Sequence, residues 1–182
     1  MSDEFDWDDA TGSGLLDRYE GVVKSSEFGI DEDYRDDTVR LMWDIEVIDL
    51  LGDPDAQAEI GDLLSEAFNA GNVSTFEAVD GGKKVARVDG KRVKFNQNSG
   101  VGQLVNLATG KAIKTTAGSV TMENADDLKK VLRERGGGDN SKIWEGLQFE
   151  FQRLEFSFKN DEDELITYGR TYPIRFVGES GN

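Results

Sequence analysis

Neither cysteine nor histidine occurs in these 182 residues, and proline occurs only twice. Without cysteine there are no disulfides, thiolate zinc sites or cysteine nucleophiles. Without histidine the commonest general base and the commonest metal ligand are lost together. Serine, aspartate or lysine chemistry stays open, but the usual triads and zincin motifs cannot be built. Long apolar runs are missing too: none approaches the roughly 18–20 residues that span a bilayer. The opening MSDEFDWDDA is acidic where a secretion signal is basic and then apolar. The expectation is a cytoplasmic protein with no membrane partner, cofactor or metal, and a binder rather than an enzyme.

Hydrophobic residues make up 37% of the chain, enough for a core, and charged residues 32%, enough for a strongly solvated surface. The net charge of −16 makes the average surface repel phosphate, so any nucleic-acid contact has to come from a local basic site.

Residues 1–14 read as a disordered acidic arm, with Phe5 and Trp7 set among Asp6, Asp8 and Asp9 and a Gly/Ser-rich end. Carboxylates interleaved with rings imitate a nucleic-acid strand. That suggests an arm that screens a basic site or recruits a replication partner; the simpler alternative is a solubilising tail. Residues 15–182 read as one β-rich domain.

Residues 19–28 predict a strand. Residues 38–51 predict another, because Val39, Leu41, Trp43, Ile45 and Val47 alternate with Arg40, Asp44 and Glu46. The short connection predicts antiparallel pairing. Asp53-Pro54-Asp55 offers a helix start, and Ile60, Leu63, Leu64, Ala67 and Phe68 fall at helical spacing before Gly71. Asp80-Gly81-Gly82 between residues 73–79 and 83–88 predicts a hairpin, and Asp89-Gly90 predicts a return into a third strand at 91–95. Short helices are predicted at 99–107 and after Asn124, and strands at 147–158 and 165–177. The fold class is therefore α+β and strand-rich. A partly open antiparallel β-barrel of the oligonucleotide-binding (OB-like) type, with two or three short helices, satisfies it. A sandwich satisfies it as well.

The local basic site is residues 83–98, KKVARVDGKRVKFNQN. Lys83, Lys84, Arg87, Lys91, Arg92 and Lys94 are opposed only by Asp89, and Phe95, Asn96, Gln97 and Asn98 follow. Cations for phosphates, a ring for stacking and amides for base edges are what a single-strand groove needs, with Phe95, Asn96 and Asn98 as the base contacts. The bland alternative is a solvated hairpin whose charges pair with the chain's own acidic surface. The acidic clusters at 31–37 and 161–164 lack the spacing of a calcium loop. Trp43 and Trp144 read as core.

The stretches FNAGNVSTFEAVDGGKKV, DGKRVKFNQNSGVGQLV, IWEGLQFEFQ and YPIRFVG resemble small phage-encoded proteins of replication and recombination modules. Some of those look like single-stranded-DNA-binding proteins. The resemblance spans roughly residues 19–178 and implies an early phage protein that coats or hands over single strands in the host cytoplasm. Replication or recombination proteins are then further partners, and a homo-oligomer is compatible. The family has no catalytic signature to carry over, and the acidic arm departs from it, since such proteins more often carry acidity at the C-terminus. Two other classes stay open. One is a virion structural or assembly protein, and the other is an acidic DNA mimic that inhibits a host nucleic-acid enzyme.

Overall fold

A computed structural model describes residues 17–52 and 58–180. The acidic arm, with Phe5, Asp6, Trp7, Asp8 and Asp9, lies outside the described residues, as does Asp53-Pro54-Asp55. β1 (Arg18–Ile30) and β2 (Thr38–Leu50) form the expected antiparallel pair. The alternation in β2 does what it predicts: Val39, Leu41, Trp43, Ile45 and Val47 are all buried. β1 carries register shifts at Glu20/Gly21 and Val23/Ser25, which bend and twist the strand. Gly21 permits this closeness, because a Cβ there would stand 2.5 Å from Ile45 Cγ2 and 3.1 Å from the Glu46 carbonyl oxygen.

The next segment corrects the sequence expectation. Residues 63–72 are not helical but form β3 (Leu63–Asn72), antiparallel to β2 with Trp43 opposite Glu66 and Leu41 opposite Phe68. Leu64, Glu66, Phe68 and Ala70 share the inward face, while Ile60 and Leu63 are exposed. An inward carboxylate and two outward aliphatics together disguise a period of two as one near 3.6.

β4 (Phe76–Val79) and β5 (Lys84–Arg87) form the predicted hairpin, joined by a 3-10 turn at Asp80–Gly82. All three turn residues have positive φ, the conformation that Asp-Gly and Gly-Gly adopt most cheaply. The third strand expected at 91–95 does not form. The free edge of β5 is taken instead by residues 139–141: Val85 N–H donates to the Asp139 carbonyl at 3.0 Å and Ser141 N–H to the Lys83 carbonyl at 2.8 Å.

Helix α1 (Gly100–Ala108) is capped by Ser99, whose hydroxyl accepts from Gly102 N–H at 3.0 Å. It is followed by a small hairpin of β6 (Ile113–Thr115) and β7 (Gly118–Val120), and then by α2 (Ala125–Arg135). Asn124 precedes α2 but does not cap it with its side chain, which donates to the Phe176 carbonyl at 3.0 Å. β8 (Leu147–Lys159) and β9 (Leu165–Glu179) complete the main sheet, whose antiparallel order is β3-β2-β1-β8-β9.

Four inter-strand steps would hold β3 and β9 about 19 Å apart in a flat sheet. The rings of Phe68 on β3 and Tyr172 on β9 are instead 5.6 Å apart. The sheet therefore curls until its two edges face each other, without a backbone ladder between them among the described residues. The strand-rich α+β class expected from the sequence is what forms, as a five-stranded antiparallel sheet with two α-helices and no closed barrel among the described residues. Helix α1 sits at the opening. Gly100 packs so closely on β3 that a Cβ would stand 2.6 Å from the Asn69 nitrogen, and the Tyr172 hydroxyl donates to Gln103 Oε1 at 2.7 Å. Trp43 centres the core inside the curl, edge-on to Phe68 at 4.8 Å and stacked with Phe149 at 6.2 Å; Trp144, also buried, lies 5.3 Å away. No helix among the described residues is long and apolar enough to cross a membrane.

Candidate functional site

The basic segment divides into three groups. Lys83 and Lys84 lie at the turn end of β5, and Lys91 and Arg92 follow the Asp89-Gly90 turn, all four exposed. Arg87, Lys94, Asn96 and Asn98 form the third group, because they line one depression of about 460 Å³ together with Asn69 and Asn72 of β3. Among the described residues Lys83, Lys84, Lys91, Arg92 and Lys94 have no carboxylate within ion-pair distance. The alternative of a hairpin paired with its own surface finds no ion pair at these five among the described residues. It fits Arg87, which holds Asp89 through Nε at 3.1 Å and Nη2 at 2.9 Å. Asp89 also accepts from Lys91 N–H at 3.0 Å, so the turn and the Arg87 guanidinium are fixed together. Its carboxyl lies below the usual range, first through the Arg87 hydrogen bond and then through that from Lys91.

Phe95 is half-buried, stacked on Phe76 at 5.8 Å and on Phe28 at 6.5 Å. Its ring anchors the segment to β4 and β1, whereas the amides of Asn96 and Asn98 stay exposed. Asn96 Oδ1 accepts from Asn98 N–H at 2.8 Å, a local turn that leads into the Ser99 cap of α1. Asn69 Oδ1 in the depression wall is buried and has no partner among the described residues.

A second, larger feature was not visible in the sequence. A cavity of about 1150 Å³ is lined by Tyr19, Trp43, Glu66, Arg153 and Thr171, with Arg40, Met42, Asp44 and Ser65, which alternate with the buried face of β2 and β3, and Arg170 among the other walls. Each of the five main strands contributes. Glu66 is the inward carboxylate of β3, and burial pushes it up to about 7, against a hydrogen bond from Thr171 and the charge of Arg153. Burial and the nearby Glu66 raise the Tyr19 hydroxyl far above its ordinary value. Tyr19 and Trp43 are each 1% exposed, yet the Tyr19 hydroxyl and Trp43 Nε1 have no partner among the described residues. At the rim the Arg40 guanidinium lies 4.4 Å over the exposed Tyr34 ring and 3.6 Å from Asp31. The depression and the cavity occupy consecutive stretches of one strand: residues 63–68 line the cavity and residues 69–72 the depression.

Glu150 is a buried ion of a different kind. Burial works to raise its carboxyl, but hydrogen bonds from Arg175 (Nε to Oε2, 2.8 Å) and from Arg18 outweigh it and hold it below the usual range. It ties β1, β8 and β9 together and lines neither feature.

No cluster of acidic residues among those described is arranged to hold a metal ion. The chain matches no family model, no curated protein and no solved structure.

Proposed function

We propose that this chain is a non-catalytic single-stranded-DNA-binding protein, acting in phage DNA replication or recombination in the host cytoplasm. One observation carries the proposal: in a chain of net charge −16, residues 83–94 hold five cations with no carboxylate within ion-pair distance among the described residues, and one of them, Lys94, lines the amide-rich depression. The curl of the sheet supports reading it as a partly open barrel of the oligonucleotide-binding type. Lys91, Arg92 and Lys94 then take phosphates, while Asn96 and Asn98 take base edges in the depression. Phe95 supports the segment from beneath.

The test is binding of fluorescent single- and double-stranded oligonucleotides of equal length to the wild-type chain and to the Lys91→Ala/Arg92→Ala/Lys94→Ala variant. Preference for the single strand, lost in the variant, is the expected result. No binding to either form at low salt would remove the proposal.

A structural or assembly role is favoured by a different observation. β1 pairs with β8 only over residues 148–152 of the latter, so the distal parts of β8 and β9 form a ribbon beyond the sheet. Phe158, Leu165, Ile166 and Tyr168 are exposed on that ribbon. Exposed apolar side chains on a projecting ribbon suit contact with a neighbouring subunit.

A further inference from the structure

The large cavity holds chemistry that phosphate binding does not use. Its walls combine a carboxylate (Glu66), a guanidinium (Arg153), a hydroxyl (Thr171) and two buried, unpartnered polar groups, the Tyr19 hydroxyl and Trp43 Nε1. An unpaired polar group in a core is costly, and the unpartnered Tyr19 hydroxyl lies close enough to Glu66 to feel its charge, so the interior beside this carboxylate is not built for packing alone. Arg153 is held against the neighbouring strand by an absent side chain: at Gly169 a Cβ would stand 2.6 Å from its Nη2 and 2.8 Å from its Cζ. The guanidinium has no carboxylate within ion-pair distance among the described residues, Glu66 included.

We propose that this cavity is a recognition site for a guanine base, with Glu66 and Arg153 as its reading groups. The inference deepens the single-strand reading and rests on it for the source of the base, an unstacked nucleotide of the bound strand. A carboxylate has two acceptor oxygens side by side, so it needs two adjacent donors. Among the four DNA bases only guanine presents them, as N1–H and N2–H₂. Adenine and cytosine each offer one amino group next to a ring acceptor, and thymine offers one N–H between two carbonyls. Each of these would set an acceptor against the second Glu66 oxygen. Arginine donates in parallel to O6 and N7 of guanine. The volume is ample for a nucleoside, since small-molecule sites run to about 300–1,000 Å³. β3 joins the two features: Asn72 lies in the depression and Glu66 in the cavity, about 20 Å apart at the rise of a strand, with the N-terminus of α1 packed on Phe68 and Asn69 between them.

The experiment measures anisotropy of a labelled oligothymidylate and of the same oligonucleotide carrying three central guanines. Ligand-observed NMR with free deoxyguanosine and deoxyadenosine runs alongside. The proteins are the wild-type chain, Glu66→Gln and Arg153→Gln, each checked for a cooperative melt. Two variants on opposite walls keep the test open if one fails to fold. The expected result is binding about tenfold tighter for the guanine-bearing strand. Either substitution should abolish that gain while leaving oligothymidylate affinity unchanged, and only deoxyguanosine should bind as a free nucleoside. Oligothymidylate binding with no guanine preference overturns the guanine site and leaves the single-strand reading standing. Deoxyguanosine binding that depends on Glu66, with no oligonucleotide binding, supports the site and overturns the strand as its source. No binding of any of them overturns both.

Discussion

Replacing Glu66 by glutamine should stabilise the protein, and do so only above acidic pH. The carboxyl titrates near 4.5 in an unfolded chain and near 7 in the fold, because burial disfavours its charge. Below about pH 4.5 both states are protonated and the site costs nothing. Between 4.5 and 7 the folded state keeps a proton that the unfolded state has released, so stability falls as pH rises. Above 7 the whole penalty is present, on the order of 3 kcal/mol at 1.36 kcal/mol per pKa unit. Glutamine keeps an acceptor for the Thr171 hydroxyl and carries no charge. Domains of this size shift by about 2–4 °C per kcal/mol, so Glu66→Gln should melt roughly 6–12 °C above wild type at pH 8. The two proteins should converge near pH 4.5. The assay is thermal melting of both from pH 4 to 8, and taking their difference cancels the titration of every other carboxylate. A difference that is constant across pH, or of opposite sign, would refute the burial of a titrating Glu66 against the cavity wall.

Glu150 should behave in the opposite sense. Glu150→Gln leaves the Arg18 and Arg175 guanidiniums without their shared carboxylate and should cost about 1–3 kcal/mol in urea denaturation near neutral pH. Since its folded carboxyl sits below the usual range, that contribution is complete above the unfolded value and fades as pH falls through the folded one; the gap between wild type and variant should therefore narrow only in acid. Asp89→Ala removes the acceptor that holds Arg87 and one negative charge from the basic segment. Single-strand affinity in low salt should rise several-fold, measured by anisotropy. A fall would show that the ordered turn matters more than the freed charge.

Much of the strand pattern was legible because it is local. The alternation from Val39 to Val47 and from Leu147 to Phe151 states which face is buried, and Asp80-Gly81 carries its own turn geometry. β3 was misread for an equally local reason. Glu66 occupies an inward position that a sequence pattern assigns to solvent, while Ile60 and Leu63 are apolar and exposed. Two of the residues that broke the pattern, Leu63 and Glu66, line the cavity, as expected where a site departs from packing rules. The missing strand at 91–95 depends on residues 139–141 reaching β5, a contact across some fifty positions that no neighbouring residue signals. Arg87, Lys94, Asn96 and Asn98 stand out in the sequence only as part of the whole basic segment; which of its residues share a depression, and their company of Asn69 and Asn72, was not legible there. Tyr19, Glu66, Arg153 and Thr171 meet only because the sheet curls, and the curl comes from register shifts and edge contacts that leave no periodic trace.

The central claim is that cations of the 83–94 segment bind a single strand through its phosphates. It is tested most directly by the salt dependence of binding to a labelled oligonucleotide of about 30 bases, for wild type and for the Lys91→Ala/Arg92→Ala/Lys94→Ala variant. Each phosphate contact on a single strand contributes about 0.7 to the slope of log affinity against log salt. The expected result is a steep negative slope for wild type that becomes shallower by about 2 in the variant. Equal slopes for the two proteins, or no binding at low salt, would contradict it.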